Sequence, residues 1–188
     1  MAIERRTALD LRAAPPASGH KGRLTGYASV FDSMSEDLGG FREIVKPGAF
    51  KRSLESNSVD PLALVHHLPH LVLGRRSAGT LKLAEDSKGL AFEIDMPDTG
   101  TARDLMVSVE RGDIRGASFA FTVEADGDHW EVEGDQVTRE LRAVTLHEIT
   151  ITPTPAYPDT SVARRALDTV IRPRPRLMLA RRFIETCN

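Results

Sequence analysis

Alternating apolar and polar positions dominate this chain, and alternation of that kind predicts strands. Such runs cover Gly22 to Phe31, Phe41 to Val45, Pro61 to His67, Thr80 to Ala84, Leu90 to Ile94, Ala117 to Glu124, His129 to Val132, Val137 to Val144 and Leu146 to Thr152. Turn-forming residues separate several of them: Glu85-Asp-Ser-Lys-Gly reads as a hairpin connection, and Asp126-Gly127 and Gly134-Asp135 mark further turns. Helical spacing is clearest over Thr99 to Arg111, where Ala102, Leu105, Met106 and Val109 follow an i, i+3, i+4, i+7 rule. Thr101 with Asp104 reads as a variant capping box at its start, and Gly112 as its stop. Pro47 opens a shorter helix with Phe50 and Leu54 on one face, and Asp159 to Val170 reads as one more. Many strands with two or three helices predict a mainly β fold with peripheral α-helices, as an antiparallel barrel, closed or partly open, or a sandwich. No internal repeat is visible.

Composition divides the chain. Residues 1–21 contain Ala13-Ala-Pro-Pro-Ala-Ser-Gly and read as a mobile lead-in, residues 22–160 as the body, and residues 161–188 as a basic tail. At 40% hydrophobic and 5% aromatic, the body can bury a core built on aliphatic side chains and a few Phe. The tail carries seven arginines against Asp168 and Glu185. A basic tail can bind nucleic acid or an acidic protein surface, but Phe183 is its only aromatic, so a solvated extension is preferred over a nucleic-acid partner. Cys187 is the single cysteine and allows no internal disulfide, which fits a reducing compartment. No apolar run approaches the roughly 20 residues that span a bilayer, and no apolar signal core follows the first charges, so a soluble intracellular protein with no membrane partner is expected.

Three stretches carry candidate chemistry. Ser118 follows a glycine turn in Gly112-Asp-Ile-Arg-Gly-Ala-Ser-Phe-Ala-Phe; His66, His67 and His70 cluster upstream; Glu148 lies in Leu146-His-Glu-Ile-Thr-Ile-Thr-Pro. A serine hydroxyl needs a neighbouring base to become a nucleophile, histidine can take and return that proton, and a carboxylate on the far ring nitrogen fixes the tautomer. Backbone N–H groups near the nucleophile would bind the oxyanion. Side chains alternate faces along a strand. Phe119, Phe121 and Val123 then share a core face and Ser118 points away from it. Ile149 and Ile151 place Glu148 outward and His147 inward; if Leu62 and Leu64 are core, His67 points outward too. One consistent assignment therefore sets Ser118, His67 and Glu148 on the outer surface of the barrel, where a polypeptide can lie in a shallow groove. The simpler readings are a structural serine, surface histidines around Pro69, and a solvated glutamate. His66 and His70 have the i, i+4 spacing of metal ligands, but Pro69 argues against the helix that spacing needs. Ser77 is a rival nucleophile with no strand to aim it.

An ordered set of motifs narrows the choice: Gly26-Tyr-Ala-Ser-Val-Phe, Phe41-Arg-Glu-Ile-Val-Lys-Pro-Gly-Ala-Phe, His67-Leu-Pro, Leu73-Gly-Arg, Gly79-Thr-Leu, Asp86-Ser-Lys-Gly-Leu, the Ser118 run and Glu148-Ile-Thr-Ile-Thr-Pro-Thr-Pro-Ala. Over about residues 26–158 the sequence resembles the prohead proteases of tailed bacteriophages, capsid-maturation serine proteases distantly similar to the herpesvirus assemblins. The resemblance implies His67 as the catalytic histidine, because that family places it seven residues before a glycine, here Gly74. It implies Ser118 as the nucleophile and Glu148 as the acidic third member, where assemblins use a second histidine. Leu68 stands where the family usually has Asp, and Ala120 replaces a common glycine after the nucleophile. The implied activity is a serine endopeptidase without cofactor or metal. It would act inside the assembling prohead in the host bacterial cytoplasm, on the major capsid protein or a scaffold protein, and then on itself. Self-association is compatible with that reading. The alternatives are a non-enzymatic scaffold- or capsid-binding protein on the same fold and a metal-dependent hydrolase using the histidines.

Overall fold

A computed structural model describes residues 3–8, 11–14 and 22–153. Twelve strands and two helices follow one another along these residues: β1 (Glu4–Ala8), β2 (Leu11–Ala14), β3 (Arg23–Val30), β4 (Arg42–Val45), α1 (Lys51–Glu55), β5 (Leu62–Val65), β6 (Leu68–Arg75), β7 (Leu81–Glu85), β8 (Gly89–Asp95), α2 (Gly100–Glu110), β9 (Gly116–Val123), β10 (Asp128–Glu133), β11 (Gln136–Leu141) and β12 (Val144–Thr152). The fold is mainly β with few helices, as the alternation predicts. The strands form a five-stranded sheet in the order β1-β9-β12-β5-β6, a four-stranded sheet β2-β3-β8-β7 and a three-stranded sheet β10-β11-β4. No closed barrel is found among the described residues. The sheets are not wholly antiparallel either: β12 with β5 and β11 with β4 pair in parallel.

The core lies where the apolar faces converge. Phe119 and Phe121 of β9 are buried as expected; their rings stack at 5.1 Å, and Phe50, just before α1, meets Phe119 edge-on at 5.3 Å. Burying side chains of this size contributes about 1.5–3 kcal/mol each. Leu146, Ile149 and Ile151 of β12 join the same cluster, and β3 packs against β9 and β1. The long helix forms where periodicity puts it, with Ala102, Leu105 and Val109 buried. Its cap is Thr99 rather than Thr101: the Thr99 side chain accepts the Ala102 N–H at 3.2 Å. Gly112, at φ 80°, ends it in the left-handed conformation that glycine adopts without a Cβ clash.

Two departures from the sequence reading matter for the site. Leu68 to Arg75 forms a full strand, although Pro69 and the adjoining His70 mask its pattern. The expected mobile lead-in contains β1 and β2, because each finds a partner far along the chain: β1 pairs with β9 and β2 with β3. The Asp159 to Val170 helix and the basic tail lie outside the described residues.

Buried charges anchor β1. Arg139 of β11 is 3% exposed and grips Glu4 of β1 with two hydrogen bonds, Nη1 to Oε2 at 2.6 Å and Nη2 to Oε1 at 3.0 Å. It also donates to Asp128 Oδ2 at 2.8 Å and to Glu43 Oε2 at 3.2 Å. From β1 itself, Arg6 donates to both carboxylate oxygens of Glu43, at 2.6 and 2.9 Å, and to Glu4 at 2.9 Å. Burial opposes the Arg139 charge, but the hydrogen bonds to Glu4 and the charges of Glu43, Glu4 and Asp128 outweigh it and hold its pKa above the ordinary value. For Glu43 burial dominates and pushes the carboxyl up, while Arg6 and Arg139 pull it down. Arg139→Leu would leave Arg6 alone with two buried carboxylates. Breaking a buried pair of this kind costs about 3–5 kcal/mol, which urea denaturation should read as a lower midpoint at unchanged slope. A loss below about 1 kcal/mol, the range of exposed pairs, would contradict the docking of β1.

Candidate active site

The five-stranded sheet brings Ser118, His67 and Glu148 together from three of its elements. Ser118 lies on β9 with Thr7 of β1 opposite on one side and Thr150 of β12 on the other. Thr150 is in turn opposite Leu64 of β5, and Glu148 is opposite Ala120 on β9 and Leu62 on β5. Ser118 and Thr150 therefore share the face away from Phe119 and Ile149, at the separation of a directly paired couple on neighbouring strands. That face is not an open surface: Ser118 and Thr150 are both fully buried.

His67 arrives by a route other than strand parity. The core face of β5 is Ala63 and Val65, not Leu62 and Leu64, so simple continuation of the strand would send His67 inward. The strand instead stops at Val65, which pairs with Leu68, and His66-His67 form the two-residue connection. Both have positive φ, 51° and 58°, as a type I′ hairpin turn requires. Asn-Gly is the usual occupant, and two left-handed non-glycine residues cost about 1–2 kcal/mol each. The turn is retained because β12 holds both its amides: His66 N–H donates to Ile151 O at 3.2 Å and His67 N–H to Thr150 Oγ1 at 2.9 Å.

In that position His67 Nδ1 lies 2.5 Å from Glu148 Oε1, with the two side chains 19% and 16% exposed. A carboxylate at Glu148 can only accept, which places a proton on Nδ1; in the neutral imidazole Nε2 then keeps a lone pair. His67 Nε2 and Ser118 Oγ are both buried, and neither has a hydrogen-bond partner among the described residues. Unpaired buried polar atoms are rare in folded proteins and call for a functional explanation.

The other candidates fall elsewhere. His66 and His70 are exposed. Ser77 is held in its own turn by Asp60, which accepts both its N–H at 2.8 Å and its hydroxyl at 2.9 Å. His147 does not point inward. A bulge between Leu146 and Glu148 places both Leu146 and Ile149 in the core, and His147 Nε2 lies 3.1 Å from Thr122 Oγ1, two residues beyond Ala120 on the Ser118 face. No cluster of three or more His, Cys, Asp or Glu suited to a metal ion occurs among the described residues. Thr150 was missed as a site residue: parity put it on the Ser118 face, but only the register places it between Ser118 and the histidine turn.

The chain is 31% identical over 148 residues to the prohead protease of Enterobacteria phage HK97; the match covers 77% of this chain and 60% of that protein, so the chain spans less than two thirds of its relative. No solved structure matches it. The sequence matches the caudovirus prohead serine protease family over residues 7–172. With that match running through nearly the whole chain, Ser118 run included, the protein belongs to the caudovirus prohead serine protease family.

Proposed function

We propose that this chain is a serine endopeptidase of capsid maturation, with Ser118 as nucleophile, His67 as general base and acid, and Glu148 as the carboxylate that orients His67. The observation that carries the reading is the pair of unpartnered buried atoms, Ser118 Oγ and His67 Nε2, with the other ring nitrogen already on Glu148. The lone pair on Nε2 takes the hydroxyl proton as Oγ attacks the scissile carbonyl, forming the Oγ–carbon bond. Glu148 stabilises the resulting imidazolium, which returns the proton to the leaving amine; water then repeats the sequence on the acyl-enzyme. Because both atoms are buried, a substrate carbonyl reaches Oγ only after the surroundings of this face rearrange. That replaces the shallow open groove the sequence suggests, and it suits an enzyme held quiet until assembly. No helix among the described residues is long and apolar enough to cross a membrane.

The substrates that fit this reading are the major capsid protein or a scaffold protein inside the assembling prohead, followed by self-cleavage. The three sheets are read as sectors of a partly open, assemblin-like barrel body, with residues 161–188 as a separable tail. A fluorophosphonate probe tests the nucleophile directly: it should form one covalent adduct, mapped to Ser118 by mass spectrometry, and more slowly than with an exposed serine enzyme. An adduct at Ser77, or none after prolonged incubation, would overturn the assignment.

A further inference from the structure

We infer that Thr150 is a positioning residue for this site: its buried hydroxyl holds the left-handed His66-His67 turn and thereby sets the His67 ring between Glu148 and Ser118. The inference rests on the serine-hydrolase reading above, but its argument is geometric. A two-residue turn with both residues at positive φ is unfavourable for histidine and needs outside support. The support comes from β12, and on the His67 side it is a side chain. Thr150 Oγ1 accepts the His67 N–H at 2.9 Å and donates its proton to Leu64 O at 3.1 Å. One hydroxyl therefore ties the residue that carries the imidazole to the strand that precedes it. The same strand carries Glu148 two residues earlier, so the base and its carboxylate are fixed from a single element.

The hydrogen-bond inventory explains why a threonine suits the place. A hydroxyl has one proton, and Thr150 commits it to Leu64 O. Thr150 faces Ser118 across the sheet and yet has no proton left to donate to Ser118 Oγ, so it leaves the nucleophile's lone pairs free. Its β-branched stem is at home in a strand buried on both faces. Valine would keep shape and burial and remove only the hydroxyl. The His67 N–H and Leu64 C=O would then lose their partner, and the turn could relax toward a conformation that carries the ring away from Ser118.

The test uses the full chain and a fluorophosphonate probe, resolving the maximal labelling rate of Ser118 from the affinity for the probe. Thr150→Val should lower the maximal rate at least about tenfold, the scale of a small misplacement of reacting groups, with probe affinity unchanged. Thr150→Ser retains the hydroxyl and should label at close to the wild-type rate. Proton NMR provides a readout independent of activity: the downfield Nδ1 proton of the His67–Glu148 hydrogen bond should be present in the wild type and in Thr150→Ser, and be lost or shifted in Thr150→Val. A purely structural role would lower the melting temperature of Thr150→Val while leaving rate and resonance unchanged, and that result would overturn the proposal. So would a Thr150→Ser variant more than about tenfold slower than the wild type, a result that stands even if Thr150→Val does not fold. If the wild type does not label at all, the serine reading fails, and the NMR comparison still decides the role of Thr150.

Discussion

Ser118→Ala is expected to abolish cleavage of a co-expressed capsid protein and, at the same time, to stabilise the chain. Removing the nucleophile of a serine protease costs about 10⁴- to 10⁶-fold in rate, so mass spectrometry should find the substrate intact where the wild type yields defined products. The stability gain follows from burial. Ser118 is 0% exposed and its Oγ has no partner among the described residues, so the folded protein carries the desolvation cost of that hydroxyl, about 1–3 kcal/mol. Alanine removes the oxygen and leaves a void smaller than a methyl group. Opposite signs for activity and stability mark a functional residue, because a structural serine would lose stability on replacement. Cleavage by Ser118→Ala at the wild-type rate would refute the mechanism; binding of scaffold or capsid protein without any cleavage by the wild type would favour a non-enzymatic role.

Glu148→Gln is expected to reduce the cleavage rate roughly 10³- to 10⁴-fold with little change in substrate affinity. The glutamine amide can donate to Nδ1, which moves the ring proton to Nε2 and removes the lone pair that accepts the Ser118 proton in the proposed mechanism. The 2.5 Å separation from Oε1 makes this the shortest route to a wrong tautomer without disturbing the fold. Glu148→Asp keeps the charge on a shorter arm and should retain more activity than Glu148→Gln. Near-normal activity in Glu148→Gln, together with loss on His147→Ala, would transfer the third role to His147, the neighbouring histidine that the bulge turns onto the same face.

The contrast between Ser118 and His67 shows how much of the site was legible in the sequence. Ser118 and Glu148 lie inside strands whose alternation is clear, so their direction away from Phe119 and Ile149 follows from local pattern alone. His67 was singled out through resemblance; the parity argument offered for it assumed the wrong core face of β5. His147 was misdirected for a related reason, since one extra residue in a strand reverses parity and a bulge has no signature in Leu-His-Glu. Burial of Ser118 was not legible either. Alternation separates the core face from the other face, but it does not say whether that other face meets water.

What the sequence determined by itself was the local and the chemical: most of the strands, the buried face of the long helix, and which hydroxyl, imidazole and carboxylate are available. The tertiary structure alone decided the rest. It docked β1 through Glu4 and Arg139, made a strand of Leu68 to Arg75, arranged the strands in three sheets, and set Thr150 between Ser118 and the histidine turn. The physical reason is range. Strand identity is written in neighbouring residues, whereas register, partner choice and buried ion pairs join residues as far apart as 4 and 139, and no local pattern encodes their pairing.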